Sequence, residues 1–338
     1  MTAARGAGSG KRVGMSTPTS AFTIAASPVP LLRPWATGFR LDAAERRGEL
    51  HRVRHGVYAP KDRWMQLAPW DRYLARVHAY ALANPDAVFM LESAAALSGM
   101  PVFREPEDVH VLQASGTARR IGDVRTHVSA DVREIVRLDG VAFTAPAETA
   151  VDIARARHPA IALAVADGAL RVDRSLDPTT LLALNEARLS KRGRGRAQWS
   201  LSRATSLAET AIESVSRAVI EWLGYELPEL QVEFRLPDGT LSRVDAYWRT
   251  ADVIGEADGR VKYRSGDATV LWEEKRREDA LRRGRGGFGR WGWDETADPP
   301  KLDEILRAAS LRPVRLPQHG PLRSLPDALG RRRTAPPE

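Results

Sequence analysis

Residues 243–258 read RVDAYWRTADVIGEAD, two runs rich in Val, Ile, Tyr and Trp parted by a short polar break. Such runs predict strands. Upstream, VEFRLPDGTL (232–241) adds another strand pair about the turn signal Pro237-Asp238-Gly239. Outward from there, a helix over about 208–223 ends at Gly224. LWEEKRREDALRR (271–283), GFGRWGWDE (287–295) and PKLDEILRAAS (300–310) then predict a helix, a strand and a helix. An α-β-β-β-α-β-α order about one sheet is an α/β sandwich. Along a strand, i and i+2 share a face, so Glu256 and Asp258 project together, with Asp245 opposite if the two strands pair. Glu213, on the preceding helix, adds a fourth carboxylate. Acids this close repel one another unless a cation neutralises them. Oxygen donors suit Mg²⁺ or Mn²⁺, which polarises a phosphate and acidifies its bound water. Taken singly, each acid is as readily a solvated or ion-paired surface group.

The whole chain has 338 residues, room for two domains and tails. Its 43% hydrophobic and 28% charged residues describe a globular protein of mixed α/β class. With no cysteine, disulfides, thiolate metal sites and cysteine nucleophiles are excluded. No run nears the ~18–20 apolar residues of a membrane span, and no secretory leader is evident, so a cytoplasmic place is expected. The formal charge of +8 suits a polyanion such as DNA, although arginine abundance alone also produces it.

Residues 1–27 are rich in Gly, Ala, Ser and Thr and are expected to form a disordered tail, with Met15 an alternative start. Residues 28–65 carry a helix near 41–47, capped by Gly48, and a basic ribbon turning at Gly56. That is the layout of a winged helix-turn-helix. Arg46 and Arg47 on the helix and Arg52, Arg54 and His55 on the ribbon are the candidate DNA contacts; the plainer reading is a solubilising hairpin. Residues 66–190 read as a small α/β region, with strands at DVHVLQ and DVRTHVS and helices at PAETAVDIARA and PAIALAVADGALRV. Residues 191–204, beginning KRGRGRAQ, read as a basic linker, 205–312 as the sandwich and 313–338 as a Pro/Arg-rich tail. Glu92, His110 and His127 show no ligand spacing and read as structural. Trp291 and Trp293 alternate on one strand and read as core.

RVDAYW…VIGEADGRVKY…EEKRREDALR…RWGWDE resembles the PD-(D/E)xK nuclease superfamily, in particular its very-short-patch-repair-like domains of actinobacterial proteins. The resemblance implies a restriction-endonuclease-like sandwich. It makes Asp245, Glu256 and Asp258 metal ligands and Glu213 the helix-borne acid, and Gln231 and the Lys275–Arg277–Glu278 face also fit. Arg277 joins the expected nucleic-acid contacts. The superfamily usually has Lys two residues beyond the central acid. Asp258 stands there, leaving Lys262 or Lys275 to supply the catalytic cation. GELHRVRHGVYAP, ESAAALSGMPV and FTAPAETAVDIAR resemble the AbiEi antitoxin architecture, which implies operator binding and a partner toxin protein. The expected function is a DNA-binding protein with a Mg²⁺-dependent endonuclease-like domain, in defence or repair. The alternative is a transcriptional regulator or type IV antitoxin-like protein whose nuclease fold is inert.

Overall fold

The computed structural model describes residues 23–34, 40–259 and 268–330, and it is mixed α/β as expected. Among the described residues there are sheets of two, six and four strands. Helix α1 (Leu41–Arg46) ends at Gly48, whose φ of +78° gives the left-handed step that the cap needs. Strands β1 (Leu50–Arg54) and β2 (Val57–Pro60) form an antiparallel ribbon, and Leu32 bridges Tyr58 on its far side. Helices α2 (Lys61–Gln66) and α3 (Pro69–Ala83) follow. Val29, Ala59, Trp64 and Ala75 close the small core, with His51 stacked on Trp64. The expected tail is shorter than its reading to residue 27. Ala25 donates its N–H to Leu97, and its carbonyl meets His78 Nε2 at 2.8 Å.

The second sheet joins β3 (Val88–Phe89), β4 (Val109–Gln113), β5 (Arg119–Ile121), β6 (Val124–Val128), β7 (Ile135–Leu138) and β8 (Val141–Thr144) in the order β5-β6-β4-β3-β8-β7. Helix α4 (Leu91–Leu97) lies against it. Helices α5 (Pro146–Ala156), α6 (Pro159–Val172) and α7 (Pro178–Ala187) all start on proline, whose missing N–H costs nothing at that position. Helix α6 is buried nearly all round, as its apolar composition requires. The stretch expected as a basic linker instead folds as α8 (Arg194–Leu201), whose Ala197 and Leu201 join the core of α5, α6 and α7. Burial of these two residues outweighs the loop-like composition.

The last region follows the expected order: α9 (Ala211–Trp222), β9 (Glu229–Arg235), β10 (Leu241–Trp248), β11 (Val253–Ala257), α10 (Ala268–Arg282), β12 (Gly287–Trp291), α11 (Trp293–Thr296) and α12 (Pro299–Ala308). Its sheet runs β12-β11-β10-β9, with β11 and β12 parallel and the other pairs antiparallel. Trp291 is core, whereas Trp293 leaves the strand for α11 and meets Phe103 edge to face. The expected Pro/Arg-rich tail contains helix α13 (His319–Ala328), which buries Leu322 and Leu325. One apolar cluster runs from Ala160, Leu163 and Ala164 of α6 through Ile212, Val215 and Val219 of α9 to one face of the four-stranded sheet and α13. Arg217 of α9 reaches the fully buried Asp167 of α6 at 3.0 Å. The sandwich and the middle region therefore share a seam.

Candidate nucleic-acid interface and acid cluster

In the amino-terminal module the register Leu50–Pro60 sets the ribbon, and an irregularity between Arg52 and Arg54 precedes the turn at Gly56. Arg52 Nε meets Glu45 Oε1 at 3.0 Å, so the ribbon's arginine lies beside α1. Arg47 pairs with Glu49 at 2.6 Å, with both side chains more than half exposed, a contact that contributes little in water. Arg46 and His55 are exposed, and among the described residues neither has an ion pair. Arg54 faces the other way. Its guanidinium donates to Asp123 Oδ1 at 2.7 Å and lies over the Tyr80 ring, which ties the ribbon to the six-stranded sheet. Arg46, Arg47, Arg52 and His55 thus form the outward set.

In the sandwich, the antiparallel register Ala246–Gly255 brings Asp245 alongside Glu256, as the hairpin reading anticipates. Asp245 Oδ2 accepts the Ala257 N–H at 2.8 Å. Glu256 is buried, and burial together with Asp245 pushes its pKa up to about 7, against the opposing pull of Arg277. Arg277, expected on nucleic acid, turns inward from α10 to Glu256 Oε1 (3.3 Å), Ser242 Oγ and the Arg243 carbonyl. Asp258 pairs with Arg290, which also donates to Glu278 at 2.6 Å. Glu213 lies at the start of α9 and accepts from the Glu209 N–H (2.9 Å), Thr210 Oγ1 (2.6 Å) and Gln231 Nε2 (3.0 Å). Burial raises its pKa, and Asp245 adds to the rise. Lys275 is exposed on α10 and, among the described residues, forms no ion pair with these acids; Lys262 lies outside the described residues.

The acids therefore converge, yet guanidinium groups supply the countercharge. No group of three or more Asp, Glu or His among the described residues is arranged to hold a metal ion. Arg290, absent from the sequence reading, sits opposite Glu256 in the parallel β11–β12 ladder. Only pairing those two strands reveals it. Glu92, His110 and His127, without spacing in the sequence, come together: His110 Nε2 lies 3.3 Å from Glu92, and its Nδ1 lies 2.9 Å from His127 Nε2. No described helix is long and apolar enough to cross a membrane.

Residues 86–201 match the AbiEi antitoxin C-terminal domain, a range that ends with the last residue of α8. Two similar proteins come from Mycobacterium tuberculosis, the uncharacterized protein MT2308 of strain CDC 1551 / Oshkosh and the uncharacterized protein Rv2248 of strain ATCC 25618 / H37Rv. Each is 31% identical over 282 residues, which cover 83% of this chain and 96% of the relative.

Proposed function

Since the chain belongs to one family with these mycobacterial proteins and carries the AbiEi antitoxin C-terminal domain within it, we propose that it is a DNA-binding regulator of the antitoxin kind. Its amino-terminal winged helix holds an operator duplex, and the domain over 86–201 faces a partner toxin protein. The observation that carries this reading is the contact of Arg52 with Glu45, which sets the ribbon beside α1, with Arg46 and His55 left exposed. Arginines so placed contact phosphates and release counterions. Fluorescence anisotropy with a duplex from the protein's own upstream region tests it. Arg46→Ala with Arg52→Ala weakens binding roughly tenfold and flattens the salt dependence by about one unit of slope per lost phosphate contact. An unchanged affinity and slope rejects the reading.

A second reading, a PD-(D/E)xK-like domain acting on phosphodiesters with Mg²⁺ or Mn²⁺, is supported by the crowding of Asp245 and Glu256, since burial and then Asp245 push Glu256 up to about 7. As arranged, the acids fit a divalent ion poorly, because Arg277 and Arg290 already neutralise Glu256 and Asp258. Plasmid nicking with Mg²⁺, Mn²⁺ and EDTA, on wild type and Asp245→Ala, decides between the two. Metal-dependent nicking lost in the variant supports cleavage; its absence from the wild type leaves the regulator alone.

A further inference from the structure

A cavity of about 740 Å³ opens in the 86–201 region, between the six-stranded sheet and helices α5 and α6. That volume suits a metabolite-sized ligand. Its apolar lining comes from Val102, Phe103, Ile153, Ile161 and Val165. Its polar lining includes Glu92, His110, His127 and Arg157. Leu91 and Arg104, which also line it, have φ of +50° and +64°. Such backbone persists in non-glycine residues only where the surroundings impose it, often at ligand sites.

Hydrogen bonds and ion pairs tie the polar lining together. Burial works to raise the Glu92 pKa, but Arg157, which binds both of its oxygens, holds it below the ordinary value. Burial pushes His110 down to about 4, and His127 is also lowered by burial, so both imidazoles are neutral at pH 7. A neutral imidazole has one N–H. His110 Nε2 stands 3.3 Å from Glu92 Oε2, and its Nδ1 shares a hydrogen bond of 2.9 Å with His127 Nε2. Among the described residues His127 Nδ1 has no hydrogen-bond partner, so it is open to a polar group of a ligand.

The charges are matched unevenly. Asp108 is met by Arg120 and Arg125, Asp152 by Arg133 and Arg188, Glu105 by Arg76 and Glu107 by Arg120. Arg104 and Arg192 line the cavity, are exposed, and among the described residues have no carboxylate partner. The rim is also joined to the ribbon. Arg76 holds the Pro106 carbonyl at 2.9 Å and Asp123 at 3.1 Å, and Asp123 holds Arg54 of β1 at 2.7 Å.

We infer that this cavity is an effector site for a small amphipathic anion, with a phosphate or carboxylate on Arg104 and Arg192, a polar group on His127 and a flat apolar body against Phe103. Occupancy changes how the winged helix binds DNA through Arg76, Asp123 and Arg54; this second half rests on the DNA-binding function proposed above.

Calorimetry on the full chain tests the first half, with adenosine monophosphate as the phosphate probe, 4-hydroxybenzoate as the carboxylate probe and inorganic phosphate as the head alone. One of the two organic probes binds in the micromolar range and phosphate more weakly. Arg104→Ala, Arg192→Ala and His127→Phe each weaken the bound probe about tenfold. No binding below a millimolar, or equal affinity in all three variants, overturns the site. For the second half, the bound probe shifts duplex affinity at least fivefold in wild type and less in Asp123→Asn. A ligand-binding chain whose duplex affinity never moves with the probe overturns the effector role. A chain that binds the probe, and loses it in the variants, yet binds no duplex with or without it refutes the DNA-binding reading and upholds the cavity.

Discussion

Thr210 and Glu213 face each other across the first turn of α9, each bonded to the other, while Glu213 also takes the Glu209 N–H. The Thr-x-x-Glu spacing is the sequence signature of a capping box, of which the structure forms the Thr210 half, while Glu213 takes the Glu209 N–H instead of that of Thr210. Thr210→Ala is expected to cost about 1 kcal/mol of stability in urea unfolding. His110 sets a pH dependence of its own. Buried and with its pKa lowered to about 4, it stays neutral in the fold while the unfolded chain protonates below its ordinary value of 6.5. The unfolded state therefore binds more protons between those values, and stability falls as pH drops through that window, by about 3 kcal/mol from this group. His110→Gln removes this component, so the wild-type loss between pH 7 and 4.5, followed by urea midpoints, exceeds that of the variant. The nearness of Asp245 and Glu256 is legible in the sequence because one hairpin joins them. The grouping of Glu92, His110, His127 and Arg157 is not, since it depends on how α4, β4, β6 and the end of α5 meet in space.

Strand β11 shows what a single glycine does for an element. A Cβ on Gly255 would lie 2.6 Å from the Trp291 ring and 2.9 Å from that of Trp248. The strand passes between two indoles, and only glycine leaves them room. Gly255→Ala is expected to destabilise by about 1–3 kcal/mol, seen as a lower denaturant midpoint with an unchanged slope. Periodicity and turn residues make β9, β10, β11 and α9 readable, because each has an apolar face or a marked turn. Helix α8 escapes that reading. Its sequence is basic and glycine-rich, and it folds because Gly193, at φ +76°, lets the chain turn tightly over the Arg155 carbonyl while Ala197 and Leu201 enter a core built by distant residues. Helix α13 is hidden similarly behind its prolines and arginines, and it forms against Trp222 and α6.

Across the whole molecule the seam between α6 and α9 decides how the parts behave. Leu163 is almost fully buried in a cluster that includes residues of both regions. Leu163→Ala is expected to cost about 2–5 kcal/mol, and thermal unfolding should remain one transition, with the sandwich and the 86–201 region melting together. Two separate transitions in the wild type would count against a shared core. A ribosome adds about 5–20 residues per second, so the apolar face of α6 emerges seconds before α9 exists to cover it. His158 waits longer still. Its ring contacts the Pro321 carbonyl and Ser324 of α13, 163 residues or more further along, and Ala328 of that helix completes a wall of the cavity. Translation that stops before α13 therefore releases a sticky, open protein, a natural client for chaperones, and α13 acts as the latch that closes it.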